Sequence, residues 1–329
     1  MDKLHGSTAS PAPDRASESA SIPGSDPGGA AKAAGPLARL DPAVSAVAGA
    51  MCNSASASFA KLSEANPGTA AFLRCALALV VLLPLAAVER RVRGPQSLRF
   101  VVTNAAAGVL LGVDYVFWVR SIDEVGASIA TVLINVQVVV FPLLAWAFSG
   151  VRPMPRFAAA APVMLGGVAL ASGAVGGGAP DGSPTSGALF GVAAGTAYAG
   201  YLFLTRMAGG GGHSASPVFV STLSAAAAAA VLGGLWTGID LALPLTSWGW
   251  LAALALFGQV LSWMLVGAAL PRLAPATGAA LLVVQPVLGV ATATAFLGER
   301  PTAVQLCGCA LVLLMVWALA GRRTAPAAG

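Results

Sequence analysis

Apolar runs of about twenty residues recur along this chain, near 43–61, 69–88, 100–121, 125–148, 157–175, 186–206, 216–236, 248–270, 275–297 and 302–320. A hydrocarbon core of about 30 Å is crossed by roughly 20 helical residues, so the pattern predicts ten transmembrane helices. Backbone groups in lipid must pair within their own segment, and the runs lack the short two-residue alternation of barrel strands, which points to helices. Three segments carry weaker signals: the first is rich in small polar residues, Pro162 interrupts the fifth, and the seventh depends on the alanines from Ala225 to Ala230.

Between and around these runs the composition changes. Residues 1–42 mix Pro, Ser, Ala, Gly and Asp without an apolar stretch, which predicts a disordered cytoplasmic tail. No apolar core of a secretory signal precedes Ala43, so insertion is expected to use the first helix uncleaved. A glycine- and proline-rich stretch at 176–185 reads as a linker, and a second glycine run at 209–212 joins the sixth and seventh segments. The expected organisation is a tail (1–42), a five-helix half (43–175), the linker (176–185), a second five-helix half (186–320) and a short cytoplasmic tail (321–329).

Composition agrees with a lipid-facing chain. Hydrophobic residues make up 57%, charged residues 9%, and mean hydropathy is +0.80, against about 25% charge in soluble domains. Basic residues set the orientation: with the N-terminus cytoplasmic, 14 lie on the inner side and only Lys61, Arg120 and Arg300 at outer ends, with Arg74 inside the second segment. Both termini are therefore expected in the cytoplasm, and the net charge of +5 reads as inner-leaflet anchoring rather than nucleic-acid binding. Cys52, Cys75, Cys307 and Cys309 fall inside apolar segments without zinc spacing and read as packing residues. Both histidines, His5 and His213, lie outside the apolar segments, so no metal site, cofactor or catalytic set is expected and the chain reads as a non-enzyme. It also lacks a phosphate-binding Gly-x4-Gly-Lys-Ser/Thr string.

One element is written twice. Leu133 to Pro153 and Leu281 to Pro301 match without a gap at 10 of 21 positions, including Gln137 with Gln285 and the endings Phe148-x-Gly150-x-Arg152-Pro153 and Phe296-x-Gly298-x-Arg300-Pro301. Chance accounts for matched alanines and valines in two apolar helices, but poorly for the glutamine and the Gly-x-Arg-Pro ending. An offset of 148 residues is far longer than a solenoid repeat and implies duplication of a whole half. Because five crossings are odd, the copy enters the membrane in the opposite sense, the arrangement of transporters that bind substrate between inverted repeats.

Polar side chains in lipid are costly and usually turn inward, so their depth is informative. Asn53, Asn135, Gln137, Gln259 and Gln285 share one level near mid-bilayer. On a regular helix Asn135 and Gln137 stand about 200° apart, so one cavity takes only one of them, and the repeat match favours Gln137. Tyr115, Trp118, Tyr198, Tyr201 and Trp263 lie close by and are expected to wall an organic substrate, although most bundle aromatics only pack. Interhelical amide bonding, worth about 1 kcal/mol each, is the alternative role for each amide. Pro286 is placed to bend the ninth helix and leave the Leu282 carbonyl open. Trp236, Trp248 and Trp250 sit at helix ends and read as interfacial residues. Arg74 and Asp114 fall at similar depth and are expected to pair; snorkelling of Arg74, or a proton-carrying Asp114, are the competing readings.

With these features in place, Arg74 within Phe72-Leu73-Arg74-Cys75-Ala76-Leu77-Ala78-Leu79, and Pro275-Ala276-Thr277-Gly278-Ala279-Ala280-Leu281 through Phe296-Leu297-Gly298-Glu299-Arg300, the chain resembles the EamA branch of the drug/metabolite transporter superfamily over about residues 43–320. The resemblance implies an all-α membrane protein of two five-helix repeats, a central cavity and alternating access, in a family exporting amino acids, other small metabolites or drugs. The first repeat departs from the second in carrying Val151 where Glu299 stands and in lacking a proline after its glutamine.

The expected function is secondary-active export of a small neutral or zwitterionic metabolite or a drug across the plasma membrane, with a non-transporting scaffold or accessory subunit as the alternative. The expected substrate-binding set is Gln137, Gln285, Asn53, Tyr115, Trp118, Tyr198, Gln259 and Trp263, with Asp114 and Arg74 as a coupling or charge pair. Partners would be the small molecule, the bilayer and a proton or other coupling ion, without nucleic acid; a monomer fits the sequence. A reporter active only outside the cytoplasm, fused after Gly329, is expected to stay silent, and a strong signal would reverse the topology.

Overall fold

The computed structural model describes residues 41–150, 155–171, 183–208, 213, 215–269 and 275–320. The expected N-terminal tail up to residue 40, the glycine run 209–212, the tail 321–329 and most of the linker lie outside the described residues. No strand occurs among the described residues. The helices are α1 (Pro42–Ser54), α2 (Ser56–Leu62), α3 (Pro67–Arg93), α4 (Leu98–Val125), α5 (Ala127–Leu133), α6 (Gln137–Ser149), α7 (Pro155–Ala171), α8 (Pro184–Ala208), α9 (Ala215–Trp236), α10 (Leu245–Ala253), α11 (Ser262–Ala269), α12 (Pro275–Leu297) and α13 (Ala303–Ala320). A 3₁₀ turn, Ile134–Val136, joins α5 to α6, and a π-helical stretch, Leu254–Leu261, joins α10 to α11.

Among the described residues, helix occurs within each of the ten apolar runs. Six stretches among the described residues are long and apolar enough to cross a membrane: Pro67–Arg93, Leu98–Val125, Ala127–Phe148, Pro184–Ala208, Ala215–Trp236 and Leu245–Val266. Pro162–Ala171, Val287–Leu297 and Ala303–Met315 are shorter apolar stretches. Local chemistry starts the early helices. Asp41 accepts from the amides of Ala43 (2.8 Å) and Val44 (3.2 Å), and Asn66 accepts from Thr69 N (2.8 Å), each followed by a proline in the first turn. Arg90, Arg91 and Arg93 crowd the last turn of α3, where cations suit the negative end of the helix.

The packing is two-fold in pattern. Helix α4 lies against α8, and its equivalent at the repeat offset, the π stretch with α11, lies against α1. Likewise α9 packs on α4 while α3 packs on the π stretch, and α12 packs on α1 while α6 packs on α8. The remaining major contacts pair equivalents directly: α3 with α9, α5 with α12, and α7 with α13. Small residues permit these approaches, as expected where helices gain from close van der Waals contact rather than from expelling water. A Cβ on Gly108 would collide with the backbone of Ser221, so α4 and α9 touch main chain to main chain there.

Several helix starts are capped from the other half of the chain. Glu299, just past α12, accepts from the amides of Ala127 (2.7 Å) and Ser128 (2.9 Å) at the head of α5. Glu89, in α3, accepts from Ala215 N (3.0 Å), Ser216 N (2.7 Å) and Ser216 Oγ (2.8 Å) at the head of α9. In return the Thr237 hydroxyl, after α9, accepts from Gly68 N at the head of α3 (3.0 Å), and Glu124 accepts from Ser183 N ahead of α8 (2.9 Å). A carboxylate at such a site satisfies orphan donors and meets the positive end of the helix dipole. Gly126, between α4 and α5, has φ of 87° and would bring a Cβ to 3.0 Å from the Glu299 carboxylate, so two constraints require glycine there.

Glu299→Ala and Glu89→Ala are each expected to lower stability by about 1 kcal/mol or more, as loss of a helix cap does. Thermal unfolding of the purified protein in detergent would read this as a lower melting temperature, and unchanged values in both variants would deny the caps a structural role.

Candidate functional site

A cavity of about 80 Å³ lies between the halves, lined by Asn53, Ser54, Ser56, Arg74, Asp114, Tyr115, Trp118, Thr131, Ile134, Asn135, Gln137, Tyr198, Trp263 and Gln285. Of the ten residues expected from sequence to form the site or the charge pair, Gln259 alone is absent from this lining. The first half contributes α1 to α6 and the second contributes α8, α11 and α12.

Arg74 organises one wall. It is 4% exposed, and its guanidinium stacks 4.0 Å from the Tyr115 ring centre and 5.5 Å from that of Trp118. Its Nε donates to Gln259 Oε1 (3.2 Å) and its Nη2 to the Gly258 carbonyl (2.9 Å). Gln259 Oε1 also accepts from the Tyr115 hydroxyl (2.6 Å), while its Nε2 donates to Thr222 Oγ1 (3.0 Å). These partners fix the orientation of the Gln259 amide, since a flip would turn a donor toward two donors. Gln259 thus belongs behind the cavity wall, correcting its expected place in the lining. The π stretch matters here, because an i to i+5 turn breaks the regular carbonyl register of the α-helix. It presents Gly258 O and Gln259 together to Arg74, and a Cβ at Gly258 would run into the Ser56 hydroxyl.

The expected pairing of Arg74 with Asp114 takes no direct form. Both line the cavity, yet among the described residues they form no ion pair, Arg74 being held instead by an amide, a carbonyl and aromatic faces. Asp114 is 1% exposed and its Oδ1 has no hydrogen-bond partner.

Asn135 and Gln137 both line the cavity, against the expectation that only one would. The cause is the 3₁₀ turn Ile134–Val136: at about 120° per residue, positions two apart are separated by 120° the short way round rather than the 160° of an α-helix. Asn135 Nδ2 donates to the carbonyls of Thr131 (3.0 Å) and Val132 (3.2 Å), whereas Gln137 Oε1 is buried without a partner.

In the cluster that also holds Tyr115, Tyr198 stacks on Tyr201 (5.8 Å between ring centres), and both approach Trp263 edge-on at 6.4 and 5.6 Å. The chain has only three tyrosines, and all of them lie in this cluster or under Arg74. Gln285 faces the cavity from α12, which runs as unbroken helix through Pro286. Its backbone carbonyl accepts from the Ser54 hydroxyl (2.8 Å), and Thr292 Oγ1 donates to the Ser54 carbonyl (3.2 Å). Those bonds fall at Ala55, where α1 gives way to α2, so the break in the first segment is tied to the ninth. Ser54, Ser56, Thr131 and Ile134 escaped the sequence reading; the small polar run Ser54-Ala55-Ser56-Ala57-Ser58 was the available signal for two of them.

The model of the EamA-like transporter family matches residues 42–173 and again residues 185–320. The chain belongs to the EamA-like transporter family. The EamA match accounts for both halves as two repeats of one unit and, with the apolar helices, makes this a multi-pass membrane protein. A search of curated proteins finds no match in sequence. A solved structure described only as the crystal structure of a protein aligns with 86% of this EamA chain and 99% of its own, at 19% identity and a TM-score of 0.58, which is likeness of fold.

Arg74→Lys is expected to destabilise the EamA bundle by about 1 to 3 kcal/mol, because an ammonium loses the planar fork and its stacking. Chemical or thermal unfolding, followed by the fluorescence of tryptophans including Trp118, would measure it; wild-type stability in the lysine variant would show that charge alone suffices.

Proposed function

We propose that this EamA protein is a secondary-active transporter of the plasma membrane that exports a small neutral or zwitterionic metabolite, amino-acid-like in size, or a comparable drug. Ten crossings, with both termini in the cytoplasm, place the two repeats in inverted orientation, and rocking of one against the other exposes the cavity to each side in turn. The observation that carries this reading is the cavity itself: polar groups from both repeats converge on one space at their interface. Aromatic rings lining one cavity with Gln137, Gln285 and Asn53 suit an organic molecule with polar ends. Arg74 and Asp114, unbonded to each other, give the cavity both signs of charge, which a zwitterion matches without adding net charge. The volume of about 80 Å³ is small beside the roughly 300–1,000 Å³ of ligand pockets, so loading an organic molecule would require the cavity to widen.

Counterflow into proteoliposomes with a pool of labelled metabolites tests the reading, with uptake expected for a restricted set. Replacing Gln137 or Gln285 with Leu should weaken apparent affinity for that set by about 1 to 3 kcal/mol, roughly 5- to 150-fold, with membrane insertion intact. Undiminished affinity in both variants would assign the glutamines to interhelical bonding, and absence of counterflow for every compound would favour a scaffold.

A further inference from the structure

We propose that Asp114, Gln137 and Asn135 form an ammonium-binding subsite within the cavity, so that a ligand of this protein must carry a protonated amine. The inference rests on the transport reading for its biological setting, but its chemical argument is local. The cavity is oversupplied with acceptors. Asp114 Oδ1 and Gln137 Oε1 are each buried and each lack a hydrogen-bond partner. Asn135 has committed its amide nitrogen to the Thr131 and Val132 carbonyls, which leaves its oxygen as the group it can present. Arg74, the charged donor nearby, bonds to neither of them; its Nε and Nη2 donate to Gln259 Oε1 and Gly258 O.

A buried carboxylate without a hydrogen bond is strongly unfavourable, and a ligand that supplies none would leave it so. An ammonium group supplies three N–H donors and a positive charge, which meets the acceptors on both counts. Water or a neutral hydroxyl meets only the first. The rings of Tyr198 and Trp263, which line the same cavity, add faces that attract a desolvated cation.

The test uses the full-length protein purified in detergent, with melting temperature read against two pairs of probes that differ only in the amine: alanine against propionate, and valine against isovalerate. Alanine or valine is expected to raise the melting temperature at concentrations at which propionate and isovalerate do nothing, and Asp114→Asn is expected to shift half-maximal protection at least about tenfold upward. Equal protection by the deaminated acids, or no protection by any probe, overturns the subsite from wild-type data alone, whether or not the variant folds. Retained amine preference in a folded Asp114→Asn protein overturns the role of Asp114. Counterflow measured in parallel separates the two readings: transport without amine preference removes the subsite and leaves the transporter, whereas amine-specific protection without counterflow keeps the subsite and removes transport.

Discussion

A guanidinium buried without a carboxylate partner sets the terms for the centre of this bundle. Arg74 cannot shed its proton, and its charge in an apolar interior is costly unless oriented dipoles and π faces surround it. Tyr115 and Trp118 supply the faces, Gln259 and Gly258 the oxygens. Each supplier then acquires constraints of its own. Gln259 needs Thr222 for its amide nitrogen, which draws α9 to the π stretch, and Gly258 must stay free of a side chain beside Ser56. One charge thereby couples α2, α3, α4, α9 and the π stretch, elements drawn from both repeats.

Because Arg74 is satisfied in this way, Asp114 is left unneutralised by contact. A direct pair would have closed the site electrostatically and made it a structural joint. Separate attachment of the cation leaves the Asp114 carboxyl in the same cavity without a direct bond to it, a distinction that turns on Gln259 accepting from Arg74 and Tyr115 at once.

The fold was legible because lipid permits few solutions: long apolar runs must be helices, and polar groups inside them must find company. That second rule picked out Asn53, Asp114, Gln137 and Gln285, which indeed share a cavity. It failed where helices depart from the regular α form. The 3₁₀ turn brings Asn135 and Gln137 to one space, and the π stretch withdraws Gln259 behind Arg74; neither departure has a signature in hydropathy. Serines were missed for a different reason. A hydroxyl near a helix break can satisfy itself on a local carbonyl, as Ser54 does on Ala50, so its presence in the sequence does not announce a cavity. Glu299 was noticed as part of a motif, but its use as a cap depends on a contact 172 residues away in the chain.

That contact bears on how the protein is made. When α5 leaves the ribosome, the carboxylate that will satisfy its first amides has not been synthesised. At about 5–20 residues per second, the interval of 172 residues lasts roughly 9 to 34 s, during which the head of the helix must be served by water or lipid headgroups. Glu89 has the opposite timing, since it is in place before the helix it caps emerges. Synthesis of the end of the ninth segment is therefore also the moment at which the head of α5 gains its cap, and quality control acting on half-made chains would meet an unfinished helix end rather than an unfolded domain.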